Sequence, residues 1–283
     1  MKNLLFKRLA VIVLVLLHGQ VPLSAGEPTS GPFPDMRKIS GGTYVYGAKP
    51  ESVERRGPDY IPVFTGSIQP EQSVSVPDFE IGVTEVTIEQ WNYCVDAGSC
   101  RRLRGTGGAH PNEPATGVSY LDVQAYLSWL NSQVGGSHYS LPTERQWEYA
   151  AKAGQSQDYW HHNRPTQEEE AIGPLIGPGY NGTARPNSLS PAGSRKENAF
   201  GVHDMLGSVM EWTADCFEDP KLARLGETTT AKVSGTACRY CVVRGANFEM
   251  SAEFAHPALR TVTECLDKSK TTGFRVVRVA GAT

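Results

Sequence analysis

Two early segments carry the pattern of β-strands. The first is 39–47 (ISGGTYVYG), which is entered through a glycine turn, and the second is 73–81 (SVSVPDFEI). In the second segment apolar and polar residues alternate, which places every other side chain on one face of a sheet. Pro77 has no backbone N–H to donate, so we expect that strand to lie at an edge or to contain a bulge.

Three later segments have the periodicity and capping residues of helices. Each begins at a Ser or Thr that is followed, three residues later, by a side chain able to complete a capping box or first-turn cap. A glycine after the last periodic residue is a typical stop signal. The predicted helices start at Thr87, Ser119 and Thr143, and the first two end near Gly98 and Gly135.

Helical periodicity fades beyond residue 155. Residues 156–201 are polar and contain several glycines and prolines, and short apolar strands return at 241–244 (CVVR) and 273–277 (GFRVV). A stretch this long without regular structure is normally disordered or held by something specific, such as a bound ion. The pattern predicts an α+β chain with little regular secondary structure.

The N-terminus has the features of an export signal. Residues 1–8 include three basic side chains, 9–17 (LAVIVLVLL) are apolar, and small residues follow at 24–26. A membrane anchor is the alternative, but the apolar run is about half the roughly 20 residues that cross a bilayer. We therefore expect a signal peptide at 1–25, a flexible arm at 26–38 and one domain at 39–283, in the periplasm and without membrane insertion.

Charge narrows the choice of partner. The chain has 27 basic and 30 acidic side chains, and loss of residues 1–25 removes three basic ones, which leaves a net charge of −6. Nucleic acids and anionic lipids require a basic surface. Neither is an expected partner.

All cysteines lie in the exported part of the chain. An even number of cysteines in an exported protein indicates disulfide bonds. Cys238 and Cys241 form a CxxC pattern, but no second CxxC or HxxxH lies nearby, so a zinc ribbon is not expected. A redox pair is the weaker alternative, since the sequence lacks the βαβ context of that motif. The six are Cys94, Cys100, Cys216, Cys238, Cys241 and Cys265.

Five segments, in order, resemble one family. Their order and spacing are similar to those of the formylglycine-generating enzyme (sulfatase-modifying factor) family, from about residue 38 to the C-terminus. The resemblance implies a fold of the C-type-lectin type, low in regular secondary structure, disulfide-bonded and braced by calcium. The segments are 39–47, 85–91 (EVTIEQW), 141–151 (LPTERQWEYAA), 201–212 (GVHDMLGSVMEW), and 242–248 (VVRGANF) with 273–275 (GFR).

The residues that the family uses for catalysis are missing. Active members oxidise a substrate cysteine to formylglycine with two cysteines that hold copper(I). At the family's spacing these positions are Met250 and Ala255, and Asn247 replaces the serine of the preceding strand. Few side chains other than thiolates suit Cu(I). We expect no copper, no catalytic residue of that reaction and no formylglycine generation.

The resemblance also implies how the cysteines pair. In relatives, the cysteine after the E-W strand pairs with one just before the R-G-G strand. The first two cysteines of this chain flank a five-residue turn, and the remaining two are left for each other. The expected bridges are Cys94–Cys100, Cys216–Cys238 and Cys241–Cys265.

A structural calcium ion is the cofactor that the resemblance implies. In the family, the side chain at Asp204, the carbonyls at Gly207 and Val209, and the carboxylate at Glu211 surround one ion. All-oxygen ligation with two carboxylates suits Ca²⁺. The alternative is that Glu211 only caps a turn.

Two functions are compatible with these features. The first is a binding and regulatory protein for a protein or peptide, as in family members that pair with the external domain of a membrane kinase linked to type VI secretion. The second is a periplasmic enzyme of altered chemistry that matures a small molecule such as a siderophore chromophore. No two of the candidate cleft residues form a recognisable acid–base pair, and a fold alone gives no activity. Those residues are Asn247, Met250, Glu253, His256 and Arg260.

Overall fold

The computed structural model of this chain describes most of the predicted domain. Residues 31–49, 68–104, 109–136, 138–154, 189–219, 238–250 and 256–279 are described. Within them the chain forms three helices, two four-stranded sheets and one two-stranded sheet. The predicted signal peptide, Glu253 and Ala255 lie outside the described residues. No helix in these ranges is long and apolar enough to cross a membrane.

The three predicted helices are confirmed. They are α1 (Ile88–Asp96), α2 (Tyr120–Val134) and α3 (Glu144–Lys152). In each, the N-cap side chain accepts a hydrogen bond from the backbone of the third helical residue, whose own side chain bonds back to the N-cap N–H. These reciprocal bonds satisfy donors that a helix start otherwise leaves unpaired. Gly135 ends α2 in the left-handed conformation, with φ 74°.

Each of the two early predicted strands is divided in two. The observed strands are β1 (Met36–Ile39), β2 (Gly42–Tyr46), β3 (Gln72–Val76) and β4 (Phe79–Gly82). The two breaks touch, because the Gly41 N–H donates to Asp78 Oδ1 at 2.8 Å. A Cβ on Gly41 would lie 2.3 Å from the Val76 carbonyl oxygen, so this approach requires glycine.

β1 corrects the predicted flexible arm. Met36, Arg37 and Lys38 pair antiparallel with the residues of β4, so three residues assigned to the arm belong to a sheet. The prediction rested on composition. Composition does not show that one edge of β4 has backbone groups available to pair with residues 36–39.

The later strands complete two larger sheets. They are β5 (Tyr139–Ser140), β6 (Met210–Phe217), β7 (Tyr240–Arg244), β8 (Arg260–Glu264), β9 (Thr272–Gly273) and β10 (Val277–Val279). The sheet orders are β1-β4-β10-β5 and β8-β7-β6-β9, and within these only β6 and β9 run parallel to each other in the described residues. The predicted strand 273–277 is split, with its two ends in different sheets.

The buried side chains form two main clusters. In the larger one, Trp91 of α1 stacks on Tyr126 of α2, with ring centroids 5.6 Å apart, and both rings meet Phe274 edge-on. In the second, Trp147 of α3 packs between β1, β4 and the loop that precedes β6. Trp147 also donates to Glu211 in a later strand, so α3 contacts both four-stranded sheets.

Candidate functional site

The cysteines are joined as the resemblance implied. The structure contains Cys94–Cys100, Cys216–Cys238 and Cys241–Cys265. Two of these bridges tie together β6, β7 and the turn after β8. Because the chain has six cysteines, none remains as a free thiol.

Two of the candidate cleft residues, Asn247 and His256, accept hydrogen bonds from backbone N–H groups two residues later in the chain. Asn247 is buried, and its side-chain oxygen accepts a hydrogen bond from the Glu249 N–H at 2.9 Å. His256 is buried as well, and its Nδ1 accepts from the Ala258 N–H at 3.0 Å. Met250 packs against the cluster around Trp147. These contacts hold the backbone in place, and among the described contacts of Asn247, Met250 and His256 none pairs an acid with a base.

The guanidinium of Arg260 also forms an ion pair inside the protein. This side chain is 3 % exposed. Its Nε and one terminal nitrogen donate to the two carboxylate oxygens of Glu144 at 2.8 Å and 2.6 Å. Such a bidentate ion pair neutralises the guanidinium. The structure therefore gives no support to a role for Arg260 in holding an anionic ligand.

Arg260 is one member of a buried ion network beneath β7. Arg244 is fully buried and donates to Glu144, at 3.3 Å, and to Glu148. Lys152 contacts Glu148 at 2.6 Å and also donates to the carbonyls of two residues in and after β2. We call these five residues (Glu144, Glu148, Lys152, Arg244 and Arg260) the Arg244 network.

The Arg244 network was not predicted, although the sequence carries a signal for it. Glu144, Glu148 and Lys152 recur every four residues, so they lie on one stripe of α3. Trp147 and Ala151 lie on that stripe too, and an apolar stripe marks the buried face of a helix. Charges placed on a buried face must be paired there.

Asp215 of β6 lies beside this network. Its Oδ2 accepts a hydrogen bond from the Glu144 N–H at 2.7 Å. Burial, followed by repulsion from the Glu144 carboxylate, raises the pKa of Asp215 to about 7. Asp215 thus titrates near neutral pH inside the protein.

A second group of charges surrounds Glu211, one of the predicted calcium ligands. Arg275 donates to both of its carboxylate oxygens at 2.7 Å, and the Trp147 Nε1–H donates to Oε2 at 2.8 Å. Glu211 therefore does more than cap a turn, since it pairs a buried arginine. We call Glu85, Asp204, Glu211 and Arg275 the Glu211 cluster.

Asp204 has an unusual backbone conformation for a residue other than glycine. Its φ is 56°, in the left-handed region, and its Oδ2 accepts from the Gly193 N–H at 2.6 Å. Burial raises the pKa of Asp204 to about 6, against the opposing effect of that hydrogen bond. A nearby cation would stabilise the ionised form of this carboxylate.

The residues expected at the calcium site carry the oxygen atoms that a hard cation prefers, and both carboxylate oxygens of Glu211 already accept hydrogen bonds from Arg275. Asp204 adds a second carboxylate, and Glu85 adds a buried one that accepts no hydrogen bond from another residue in the described part of the chain. In the described ranges, no three acidic, histidine or cysteine side chains lie close enough together to hold an ion alone. Backbone carbonyls, such as those expected at Gly207 and Val209, would have to complete the ligand set.

A cavity of about 380 Å³ lies on the second sheet, apart from the predicted cleft residues. Its apolar side is formed by Met210, Trp212 and Val243, and a lysine and an aspartate are also among its lining residues. Sequence patterns did not indicate it, because its walls come from four strands that are distant in the chain. The hydroxyl-bearing residues that line it are Thr261, Thr263, Ser269 and Thr272.

Comparisons with known proteins agree with this architecture. Residues 22–280 match the FGE-sulfatase family, described as sulfatase-modifying factor enzyme 1-like domain. The chain is 26 % identical over 233 residues to a hercynine oxygenase of Mycolicibacterium thermoresistibile, covering 68 % of this chain and 49 % of that protein. It is 32 % identical over 113 residues to the inactive C-alpha-formylglycine-generating enzyme 2 of Bos taurus, covering 37 % and 34 %. The chain thus spans less than half the length of these two relatives.

A solved structure shares the fold over nearly its full length. PvdO from Pseudomonas aeruginosa matches with a TM-score of 0.66 at 25 % identity, over 88 % of this chain and 95 % of that one. The expected mixed fold with few helices, short strands and disulfide bonds is confirmed.

Proposed function

Because the chain belongs to the sulfatase-modifying factor enzyme 1-like family, we propose that it is an exported member that binds a protein or peptide and generates no formylglycine. The observation that carries this proposal is that all six cysteines are joined in disulfides. Copper(I) chemistry of the family's kind needs a pair of thiolates. Methionine at position 250 and alanine at 255 supply none.

The state of the cleft residues supports binding over catalysis. A general base or nucleophile has to present a free group to the substrate. Arg260 is paired with Glu144, while the described polar groups of Asn247 and His256 bond to neighbouring backbone. Loops on such a braced scaffold are common binding surfaces. The partner that we propose is the external domain of a membrane kinase, of the kind linked to type VI secretion.

The proposed location is the periplasm. Disulfide bonds persist in oxidising compartments, and the predicted signal peptide would direct export. A structural Ca²⁺ at Asp204 and Glu211 is part of the proposal, with carbonyls of Gly207 and Val209 as further ligands. Such an ion would brace the loop that leads into β6.

A comparison with restored thiols tests the loss of formylglycine generation. The purified chain is mixed with copper(I), oxygen, a reductant and a sulfatase-type cysteine peptide, beside the variant Met250→Cys/Ala255→Cys. We expect no aldehyde product from the chain itself by mass spectrometry. Product formed by the unaltered chain would contradict the proposal, and product formed by the variant alone would show that the missing thiols are the cause.

Capture from the native envelope tests the binding function. The tagged, exported chain should retain a membrane kinase in stoichiometric amount, and the isolated external domain of that kinase should bind the purified chain directly. A lack of direct binding to that domain, or a preparation without any protein partner, would contradict the proposed role and favour the second candidate.

The second candidate is an enzyme of altered chemistry that matures a small molecule such as a siderophore chromophore. The cavity on the second sheet favours it, because 380 Å³ lies within the usual range for small-molecule sites. One similar protein is also named an oxygenase. Comparing the small molecules that accumulate with and without the gene tests this candidate, and identical profiles would exclude it under the conditions used.

A further inference from the structure

Glu85 is a buried carboxylate that lies in the loop between β4 and α1 and is 1 % exposed. Within the part of the chain that the structure describes, neither of its carboxylate oxygens accepts a hydrogen bond from another residue. Buried carboxylates are normally paired or hydrogen-bonded, so this one requires an explanation.

The backbone places Glu85 between Asp204 and Arg275. On one side, the Val83 carbonyl accepts from the His203 N–H at 2.9 Å, and on the other, the Val86 N–H donates to the Phe274 carbonyl at 2.9 Å. Burial raises the pKa of Glu85, and electrostatic repulsion from Asp204 and secondarily from Glu211 adds to that effect. The backbone bonds thus place Glu85 beside the other members of the Glu211 cluster.

Two buried charge groups in the described residues differ in their balance. The Arg244 network holds three cations and two glutamates, and Asp215 beside it supplies a third carboxyl group, so the charges can cancel. In the Glu211 cluster, three carboxylates oppose one guanidinium, that of Arg275. His203 and Arg195 also act on Asp204, but both are only partly buried. With all carboxylates ionised, the cluster carries two uncompensated negative charges, which a divalent cation would neutralise.

We propose that Glu85 is a further carboxylate of the divalent-cation site at Asp204, and that it holds the hydrated side of the ion. Ca²⁺ takes six to eight oxygen ligands and commonly keeps some water. Three side chains do not converge closely enough in the described residues to bind one ion directly. The unpartnered oxygens of Glu85 would therefore accept hydrogen bonds from waters on the ion. This inference rests on the proposed calcium ion, and not on whether the chain is a binding protein or an enzyme.

Thermal unfolding of the full exported chain, titrated with CaCl₂ after chelation, tests this inference. Glu85→Gln keeps the size of the side chain and removes its charge. We expect it to raise the half-saturating Ca²⁺ concentration about 10- to 100-fold, the range typical of residues that act through a first ligand or water. In chelator, its melting temperature should equal or exceed that of the unaltered chain, because an uncompensated buried carboxylate is gone.

Asp122→Asn is the matched control, because Asp122 is a paired carboxylate at the start of α2, outside the cluster. It should leave the half-saturating concentration unchanged. The inference is overturned if Glu85→Gln responds to Ca²⁺ as the unaltered chain does, or if the unaltered chain does not respond at all. If Glu85→Gln does not fold, Glu85→Asp replaces it. Its shorter side chain moves the carboxylate oxygens away from the ion and should also weaken Ca²⁺ binding, so unchanged binding would overturn the inference.

Discussion

Glu148 offers the sharpest test of the buried Arg244 network. Its fully buried carboxylate contacts Arg244, accepts from the Gly47 N–H at 2.8 Å and meets Lys152 at 2.6 Å. Glu148→Gln keeps the shape and the acceptor for Gly47. It removes the carboxylate that Arg244 and Lys152 share, while Glu144, the other glutamate of the network, already pairs Arg260.

The expected loss of stability is about 3–5 kcal/mol, because breaking one partner of a buried ion pair leaves an uncompensated charge. For a domain whose unfolding free energy is about 5–15 kcal/mol, this is a large fraction. At about 2–4 °C per kcal/mol for a chain of this size, the melting temperature should fall by roughly 6–20 °C. The drop should persist in high salt, since buried pairs are weakly screened.

Urea unfolding under non-reducing conditions measures the change. Glu264→Gln is the control, because it breaks an ion pair with Arg239 at 3.3 Å in which both side chains are more than half exposed. That pair should contribute about 0–1 kcal/mol. The double variant Glu148→Gln/Lys152→Met should recover part of the loss by removing one stranded cation. If Glu148→Gln costs no more than Glu264→Gln, the network is not a major source of stability and the reasoning is wrong.

Three further predictions concern pH, the disulfides and Glu211. The pKa of Asp215 is raised to about 7, so the stability that its protonated form contributes is present below about pH 4 and is lost as pH rises toward 7. Asp215→Asn should therefore reduce the fall in melting temperature between pH 4 and 7. An unchanged slope would contradict the raised pKa of Asp215. Replacing Cys241 and Cys265 with alanine should lower the unfolding free energy by about 2–4 kcal/mol in non-reducing urea titrations, and a loss within error would show that the bridge is dispensable. Glu211→Ala should lower the melting temperature even in chelator, because Arg275 loses its carboxylate, and should abolish the response to Ca²⁺; a full response in this variant would remove Glu211 from the calcium site.

Local signals predicted the parts of the fold that depend on neighbours in sequence. The three helix starts depend on a side chain and a backbone N–H three residues apart, which can bond in any context. The α2 stop depends on the freedom of Gly135 to adopt positive φ. The family motifs and the cysteine spacings also predicted the fold class and the pairing of the cysteines.

Strand boundaries could not be predicted in the same way. The breaks at Gly41 and Asp78 exist because two distant backbones cross there, and β1 exists because β4 offers it an edge. β6 has no alternation to detect, since most of its residues on both faces are buried. Strand pairing is a long-range interaction, so its extent depends on partners far away in the chain.

Residue order was enough to define the helices, the disulfide-bonded family fold and the lack of the thiols that copper chemistry needs. Which charges meet depends instead on tertiary packing. Arg260, a candidate for an open cleft, is neutralised by Glu144 from a helix 116 residues earlier in the chain. Glu85, which belongs to a strand-to-helix motif, is buried where the charges of Asp204 and Glu211 help to raise its pKa. The reason is that the energy of a charge depends on its burial and its partners, which are properties of packing and not of local sequence.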